Sequence, residues 1–415
     1  LADHCSVERR ILETIDQHAA ELVGVSRTIY QYAELGHEET NSATLLAARL
    51  GAAGYAVSTG AAGLATAFDA RLAGPATRLG DSMPTIALLA EYDALPGLGH
   101  ACGHNLIAAA ALGAAAGLAG VRDELPGEIR VYGTPAEEGY KPNAGGKVIM
   151  FDAGLFEGVD AVLMVHPSDA PAYFSGGVPS LARDNFRLIF RGRRPRVGQA
   201  EWDYVNSQDA LTWAHSAINI LLQHIPPGVR VQWVIEKGGD NPNIIPVEST
   251  VRVYVRAPRM ATVKFVVRRI MECARGAVIA TGGEVEYHRH AQLYDEVITN
   301  PTLNAMFVEA LRQCGVGDDE IREPRAETAP HSYDLGVVSK HVPSMAGRIV
   351  IGPRELSLHT REASETACSD AGHRGMILGA KALALTAWRL LACPDRLAMA
   401  KVDLREALEL DRSNS

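Results

Sequence analysis

Ile86-Ala87-Leu88-Leu89-Ala90-Glu91-Tyr92-Asp93 opens on five apolar residues in succession and runs into two acids. A strand with one wet face alternates. An unbroken apolar run is what a strand buried on both faces requires, and such strands belong to parallel sheets covered by helices on each side. The flanking sequence repeats the theme. Ser42 to Leu50 and Asn105 to Leu118 carry apolar residues at helical spacing, and Ile129 to Tyr132 and Ala161 to Val165 read as two more short strands. Strands alternating with helices predict an α/β domain on a mostly parallel sheet. The three strands lead into polar residues: Glu91 and Asp93, then Glu137 and Glu138, then His166. In open α/β sheets ligands lie beyond the carboxyl ends of the strands, so these ends mark one candidate site.

The middle of the chain changes character. Phe186 to Phe190 reads as a strand, Ser207 to Leu222 as a helix, and Val229 to Ile235 and Thr250 to Val255 as alternating strands. Met260 to Thr281 is a helix and Glu284 to His288 a last strand. The order β-α-β-β-α-β is the split-βαβ, ferredoxin-like pattern. It predicts an inserted domain over 183–294 between two parts of a catalytic domain, 1–182 and 295–415. Further helical patterns cover Val7 to Val23, Pro301 to Cys314 and Gly372 to Leu391. The longest apolar run, Leu106 to Val121, is rich in Ala and Gly and shorter than a membrane span, so it reads as a buried helix.

With 415 residues, 47% of them hydrophobic and 21% charged, the chain can build a large core without disulfides. A formal net charge of -9 argues against nucleic acid or an anionic membrane as partner, since phosphate binding needs clustered Lys and Arg. The six cysteines are scattered with no CxxC pair, which fits a reducing, cytoplasmic compartment. Five read as buried or half-buried thiols; Cys102 alone sits in a chemical motif.

That motif is His100-Ala101-Cys102-Gly103-His104-Asn105. Thiolate and imidazole suit zinc and related metals, and Gly103 lets the backbone bend between the two donors. Alone, the pair is equally a buried thiol beside a surface His. A second motif is Gly133-Thr134-Pro135-Ala136-Glu137-Glu138-Gly139. Adjacent acids repel unless a cation or proton compensates. One can ligate metal while the other takes a proton from bound water. A solvated turn is the plainer reading, disfavoured because the pair directly follows an apolar strand. His166 and His359 complete the set, though neither stands out by itself among fourteen histidines.

Taken together these motifs resemble the M20 family of metallopeptidases and amidohydrolases, in particular the branch with a Cys-Gly-His-Asn motif that includes aminobenzoyl-glutamate hydrolases and related dipeptidases. The resemblance also takes in Tyr32 to Glu38, Asn243-Ile244-Ile245-Pro246 and Asp334 to Ser339, in the right order. It implies that Cys102 bridges two metal positions, with His104, Glu138, His166 and His359 as the remaining ligands. One or two ions of zinc, manganese or cobalt per subunit would serve. Glu137 would be the general base, Asp93 would hold a ligand or loop in place, and Asn243 would face substrate. The insert would be a lid through which the chain forms a homodimer.

The chain departs from the family at three places. Arg196 stands where a lid histidine is usual, Tyr140-Lys141-Pro142-Asn143 precedes the expected glycine run, and His331 and Tyr333 replace small residues. Arg can grip a carboxylate through two hydrogen bonds but cannot donate a proton near neutral pH. A solvated turn remains the plain alternative for Arg193, Arg194 and Arg196. The first expectation is amide hydrolysis of an N-acyl or aminobenzoyl amino acid, a small substrate with a carboxylate. The second is hydrolytic deamination of an anthranilate such as 5-nitroanthranilate, in which Arg196, His331 and Tyr333 would grip the ring acid. A non-catalytic binding protein is the third reading; the surviving ligands and Glu137 stand against it.

Overall fold

A computed structural model describes residues 4–75, 83–170, 172–174, 180–194, 203–322, 331–352 and 355–413. The chain opens with helices α1 (His4–Gln17), α2 (Ala19–Tyr32) and α3 (Thr40–Ala52), then strands β1 (Ala56–Thr59), β2 (Phe68–Ala73) and β3 (Thr85–Ala90). Next come α4 (His104–Ala119), β4 (Glu128–Gly133), α5 (Gly146–Asp152), β5 (Ala161–Pro167) and β6 (Tyr173–Phe174). The middle holds β7 (Ala182–Arg191), α6 (Ser207–Leu221), β8 (Arg230–Lys237), β9 (Glu248–Ala257), α7 (Met260–Thr281) and β10 (Glu284–Arg289). The last part adds α8 (Pro301–Gln313), β11 (Ile321–Arg322), α9 (Leu335–Ser339) and β12 (Ser344–Ile349). It ends with α10 (Arg361–Ala367), α11 (Asp370–Ala392) and α12 (Pro394–Ser413).

The chain divides into two units. The first takes Leu1–Pro179, Val297–Ala329 and Asp334–Ser415, and the second takes Ser180–Glu296 with Pro330–Tyr333. In the first, eight strands lie in the order β1-β2-β4-β3-β5-β12-β6-β11. The centre, β4-β3-β5-β12, is parallel throughout, and antiparallel pairs occur only toward the edges. β3 is buried at every position, as its unbroken apolar run requires. Among the described residues no cysteine forms a disulfide, and Cys5, expected to be at least half-buried, is exposed near the start of α1.

The helical pattern over Val7 to Val23 is two helices that meet at His18, not one. The buried stripe Val7, Ile11, Ile15, Leu22, Val25, Ile29 runs through both, so periodicity alone could not show the break. The Ala and Gly content of α4 has a packing cause. A Cβ on Gly113 would come within 2.9 Å of Leu22 and Ala380, and one on Gly117 within 2.8 Å of Ile15. Small residues therefore let α1, α2 and α11 close onto α4. Among the described residues α11 is the one helix long and apolar enough to cross a membrane, and 72% of its apolar window is buried within the fold.

The second unit is a four-stranded antiparallel sheet in the order β10-β7-β9-β8. Phe186, Leu188 and Phe190 of β7 and Val251, Val253 and Val255 of β9 form its core with α6 and α7.

Candidate metal and hydrolytic site

β3, β4 and β5 end at one edge of the first sheet, and the residues that follow them converge. His104 begins α4 directly after Gly103, whose φ of 75° is left-handed and whose missing Cβ makes room for Pro167, 2.6 Å from where that atom would stand. His104 is wholly buried. Its Nδ1 lies 2.8 Å from Asp93 Oδ1. Its Nε2 points the other way, 3.5 Å from Glu91 Oε2 and 3.9 Å from both Glu137 Oε2 and Glu138 Oε1. Cys102 Sγ is 3.4 Å from His166 Nε2. His166 Nδ1 faces the Pro167 carbonyl at 2.9 Å and the Arg348 guanidinium from β12. His359, on a turn with φ of 64°, is half-exposed; its amide donates to Ala101 O and its Nε2 is 3.5 Å from Glu138 Oε2.

Three overlapping sets emerge in which one donor atom per residue lies within 4.8 Å of the others. They are Cys102 with His104 and His166, Cys102 with Glu138 and His359, and His104 with Glu137 and Glu138. Donors bound at about 2.0–2.3 Å to one tetrahedral ion stand roughly 3.4 Å apart, so this spacing fits a cation.

Electrostatics agree. Burial, then the charges of Glu91, Glu138 and Asp334, hold the Glu137 carboxyl well above the usual range. Burial likewise raises Glu138 to about 7, against the pull of His104. Burial and Glu138 push the Cys102 thiol up to about 12. Burial alone would lower His104, but Asp93 and Cys102 outweigh it and raise the imidazole. Five acidic side chains, Glu91, Asp93, Glu137, Glu138 and Asp334, meet two permanent cations, Lys147 and Arg348, and the His104 imidazole, which leaves an excess of acids. His104 Nε2 and Glu138 Oε1 are buried without a hydrogen-bond partner. A divalent cation among them satisfies both atoms and reverses the drive toward protonation. The donor set therefore fits a transition-metal centre.

Two groups of the site carried no signal in the sequence. Lys147, wholly buried at the start of α5, lies 2.6 Å from Glu91 Oε1 and 2.5 Å from Asp334 Oδ1. Arg348 sits in β12 directly across from His166. Glu137, Glu138, Asp93, Cys102, His104, His166 and His359 are thus brought together in the first unit. Asn243, His331 and Tyr333 lie in the second: Asn243 is exposed, Tyr333 is buried, and the His331 carbonyl accepts from Leu181 N at 2.8 Å. Arg196 lies outside the described residues.

Residues 87–384 match the peptidase family M20/M25/M40. The chain is 37% identical to the Xaa-Arg dipeptidase of Mus musculus over 397 residues, which cover 94% of this chain and 90% of that one. It is 30% identical to one of the subunits of p-aminobenzoyl-glutamate hydrolase from Escherichia coli (strain K12) over 329 residues, 74% of this chain and 66% of that one. In fold it is similar to a dinuclear metal binding peptidase of the M20 family from Bacillus subtilis. That likeness has a TM-score of 0.65 at 19% identity and covers 91% of this chain and 99% of that one.

Proposed function

The chain belongs to peptidase family M20/M25/M40 and is a hydrolase acting on C–N bonds, and we propose that it cleaves the amide of a small N-acyl or aminobenzoyl amino acid with a metal-activated water. The observation that carries this reading is the gathering of a thiol, three imidazoles and paired carboxylates, from positions 102 to 359, around one charge-deficient volume.

In this reading Cys102, His104, Glu138, His166 and His359 would hold one or two ions of zinc, manganese or cobalt. When bound, the metal supplies Lewis acidity, which acidifies a water and polarises a carbonyl. Asp93 accepts the Nδ1 proton of His104, which leaves the Nε2 lone pair facing the centre. Glu137, within 3.9 Å of that nitrogen, takes the proton of the attacking water and returns it to the departing nitrogen. Arg196, Asn243, His331 and Tyr333 are assigned to the substrate and its carboxylate, and the second unit to closure and to homodimer formation. A dipeptidase and an aminobenzoyl-glutamate hydrolase among the relatives support an amide bond next to a carboxylate. Six cysteines without a disulfide among the described residues support a cytoplasmic site of action.

The test is turnover by metal-loaded protein of p-aminobenzoyl-glutamate, N-acetyl amino acids and 5-nitroanthranilate. Amine release from the amides is expected, and Glu137→Gln keeps its metal while losing about 10³-fold or more in kcat. Ammonia from the anthranilate without amide cleavage replaces the amide reading with the aminohydrolase one. Full activity in Glu137→Gln removes Glu137 from its role.

A further inference from the structure

Glu39 is a residue that its own helix does not use. It stands at the N-cap of α3, where a side-chain oxygen normally accepts from the first-turn amides, yet it makes no such bond. Glu34 does that work instead. Its Oε1 accepts from Asn41 N and its Oε2 from Ser42 N, each at 2.9 Å. The Glu39 carboxylate is thereby released inward, with no solvent exposure at all. Its Oε2 accepts from Thr66 Oγ1 at 2.9 Å and its Oε1 from Ala136 N at 2.8 Å.

Ala136 is the residue before Glu137, and it is strained. Its φ of 58° is left-handed, a conformation that a side-chain-bearing residue avoids unless its surroundings impose it. Three contacts impose it. Glu39 holds the amide, Gly145 N donates to the carbonyl at 2.8 Å, and Gly36 backs the Cα, leaving no room for a Cβ of its own (2.9 Å from Ala136 Cα and Cβ). Two residues on, Asp93 Oδ2 accepts from Glu138 N at 3.0 Å. The peptide that carries Glu137 is thus pinned on both sides, by Glu39 before it and Asp93 after it.

We propose that Glu39 is a positioning residue for Glu137, fixing the left-handed turn at Ala136 that aims the Glu137 carboxylate at the reacting water. The proposal rests on Glu137 acting as the base, as above. It accounts for a buried carboxyl that reaches Ala136 from 97 residues away although α3 is capped without it.

The experiment compares Glu39→Ala, Glu39→Gln and Gly36→Ala with Glu137→Gln. It uses metal-loaded full-length protein, assayed on p-aminobenzoyl-glutamate or whichever compound of the panel is turned over fastest. Each variant is also measured for bound metal and solved by crystallography. Glu39→Ala is expected to lower kcat by about 10²-fold with KM and metal content unchanged, the scale of a misplaced catalytic group. Glu39→Gln, whose carbonyl still accepts from Ala136 N, is expected to recover most of kcat. Gly36→Ala, whose methyl must displace Ala136, is expected to fall like Glu39→Ala. The Glu39→Ala structure is expected to show Ala136 out of the left-handed region and the Glu137 carboxylate moved. An unchanged kcat in Glu39→Ala, or an unmoved Glu137, overturns the proposal while Glu137→Gln is inactive. Should Glu39→Ala not fold, Gly36→Ala decides: an unchanged kcat overturns it. An active Glu137→Gln overturns the assignment of the base instead.

Discussion

Asp93 divides its oxygens between two tasks, holding the His104 imidazole with Oδ1 and the Glu138 amide with Oδ2. A partner of this kind fixes a ligand's tautomer and ring orientation, and its loss weakens metal binding by about 10–100-fold. Asp93→Ala is expected to show that loss in a chelator competition, with Cys102 and His166 keeping some affinity. An unchanged affinity counts against His104 as a ligand. Lys147 is a different kind of residue. It bridges two buried carboxylates, Glu91 and Asp334, and removing it leaves both without their counter-charge. Breaking a buried pair costs about 3–5 kcal/mol, so Lys147→Met is expected to melt well below the unaltered protein. An equal melting temperature means the triad is not a structural requirement. The pairings of Lys147 and Arg348 could not be read in the sequence. Lys147 lies 187 residues from Asp334 and Arg348 lies 182 from His166, and a lone basic residue among small neighbours looks like surface. What could be read were the donors that follow strands, because an apolar run ending in acids or His is a local signal.

Helices α1, α8 and α11 are joined by one polar clamp. Arg389 of α11 donates to Glu8 of α1 from Nε at 2.7 Å and from a terminal nitrogen at 3.1 Å, and Gln313 of α8 adds a third bond at 2.9 Å. Burial alone would raise the Glu8 carboxyl, but the hydrogen bonds and charge of Arg389 and Gln313 outweigh it and hold the pKa below its ordinary 4.5. The unfolded chain therefore takes up the proton first as pH falls. The clamp's stabilisation is present above about pH 4.5 and disappears as pH drops through the depressed folded value. Glu8→Ala is expected to cost about 2 kcal/mol at pH 7 in denaturant unfolding and nearly nothing at the acid end of that window. A gap that stays constant with pH refutes the assignment. At this scale the sequence showed β3 and β5 because burial on both faces leaves unbroken apolar runs, Ile86 to Ala90 and Ala161 to Val165, and β4 through Ile129, Val131 and Tyr132, which are buried around a half-buried Arg130. It did not show β12, Ser344-Met345-Ala346-Gly347-Arg348-Ile349, though that strand is equally buried. Gly347 leaves the space that the Phe307 ring occupies, and Arg348 spends its charge on the His166 side, so tertiary packing supplies what strand propensity lacks.

The two units each carry a core of their own, and the second is built on a β-α-β-β-α-β segment, β7 to β10, that lies in the chain between β6 and α8. Its order could be read because alternating strands and the long stripe of α7 have distinct periods. Its surface argues for a partner. β8 ends the sheet with its outer backbone edge unpaired by any strand of the described residues, and it exposes Val234 at 58% and Ile235 at 52%. On α6, Trp213 at 60% and Ile220 at 61% are exposed as well. A long apolar edge strand invites strand-to-strand pairing unless something covers it. A second copy would cover it by symmetry, since β8 against β8 about a two-fold axis is antiparallel and self-complementary. Light scattering is therefore expected to give twice the 44.4 kDa chain mass, and Ile220→Glu with Ile235→Glu to halve it. The acids place like charges across a two-fold contact, so each substitution acts twice. A monomer before substitution, or a dimer indifferent to it, removes β8 and α6 as the interface.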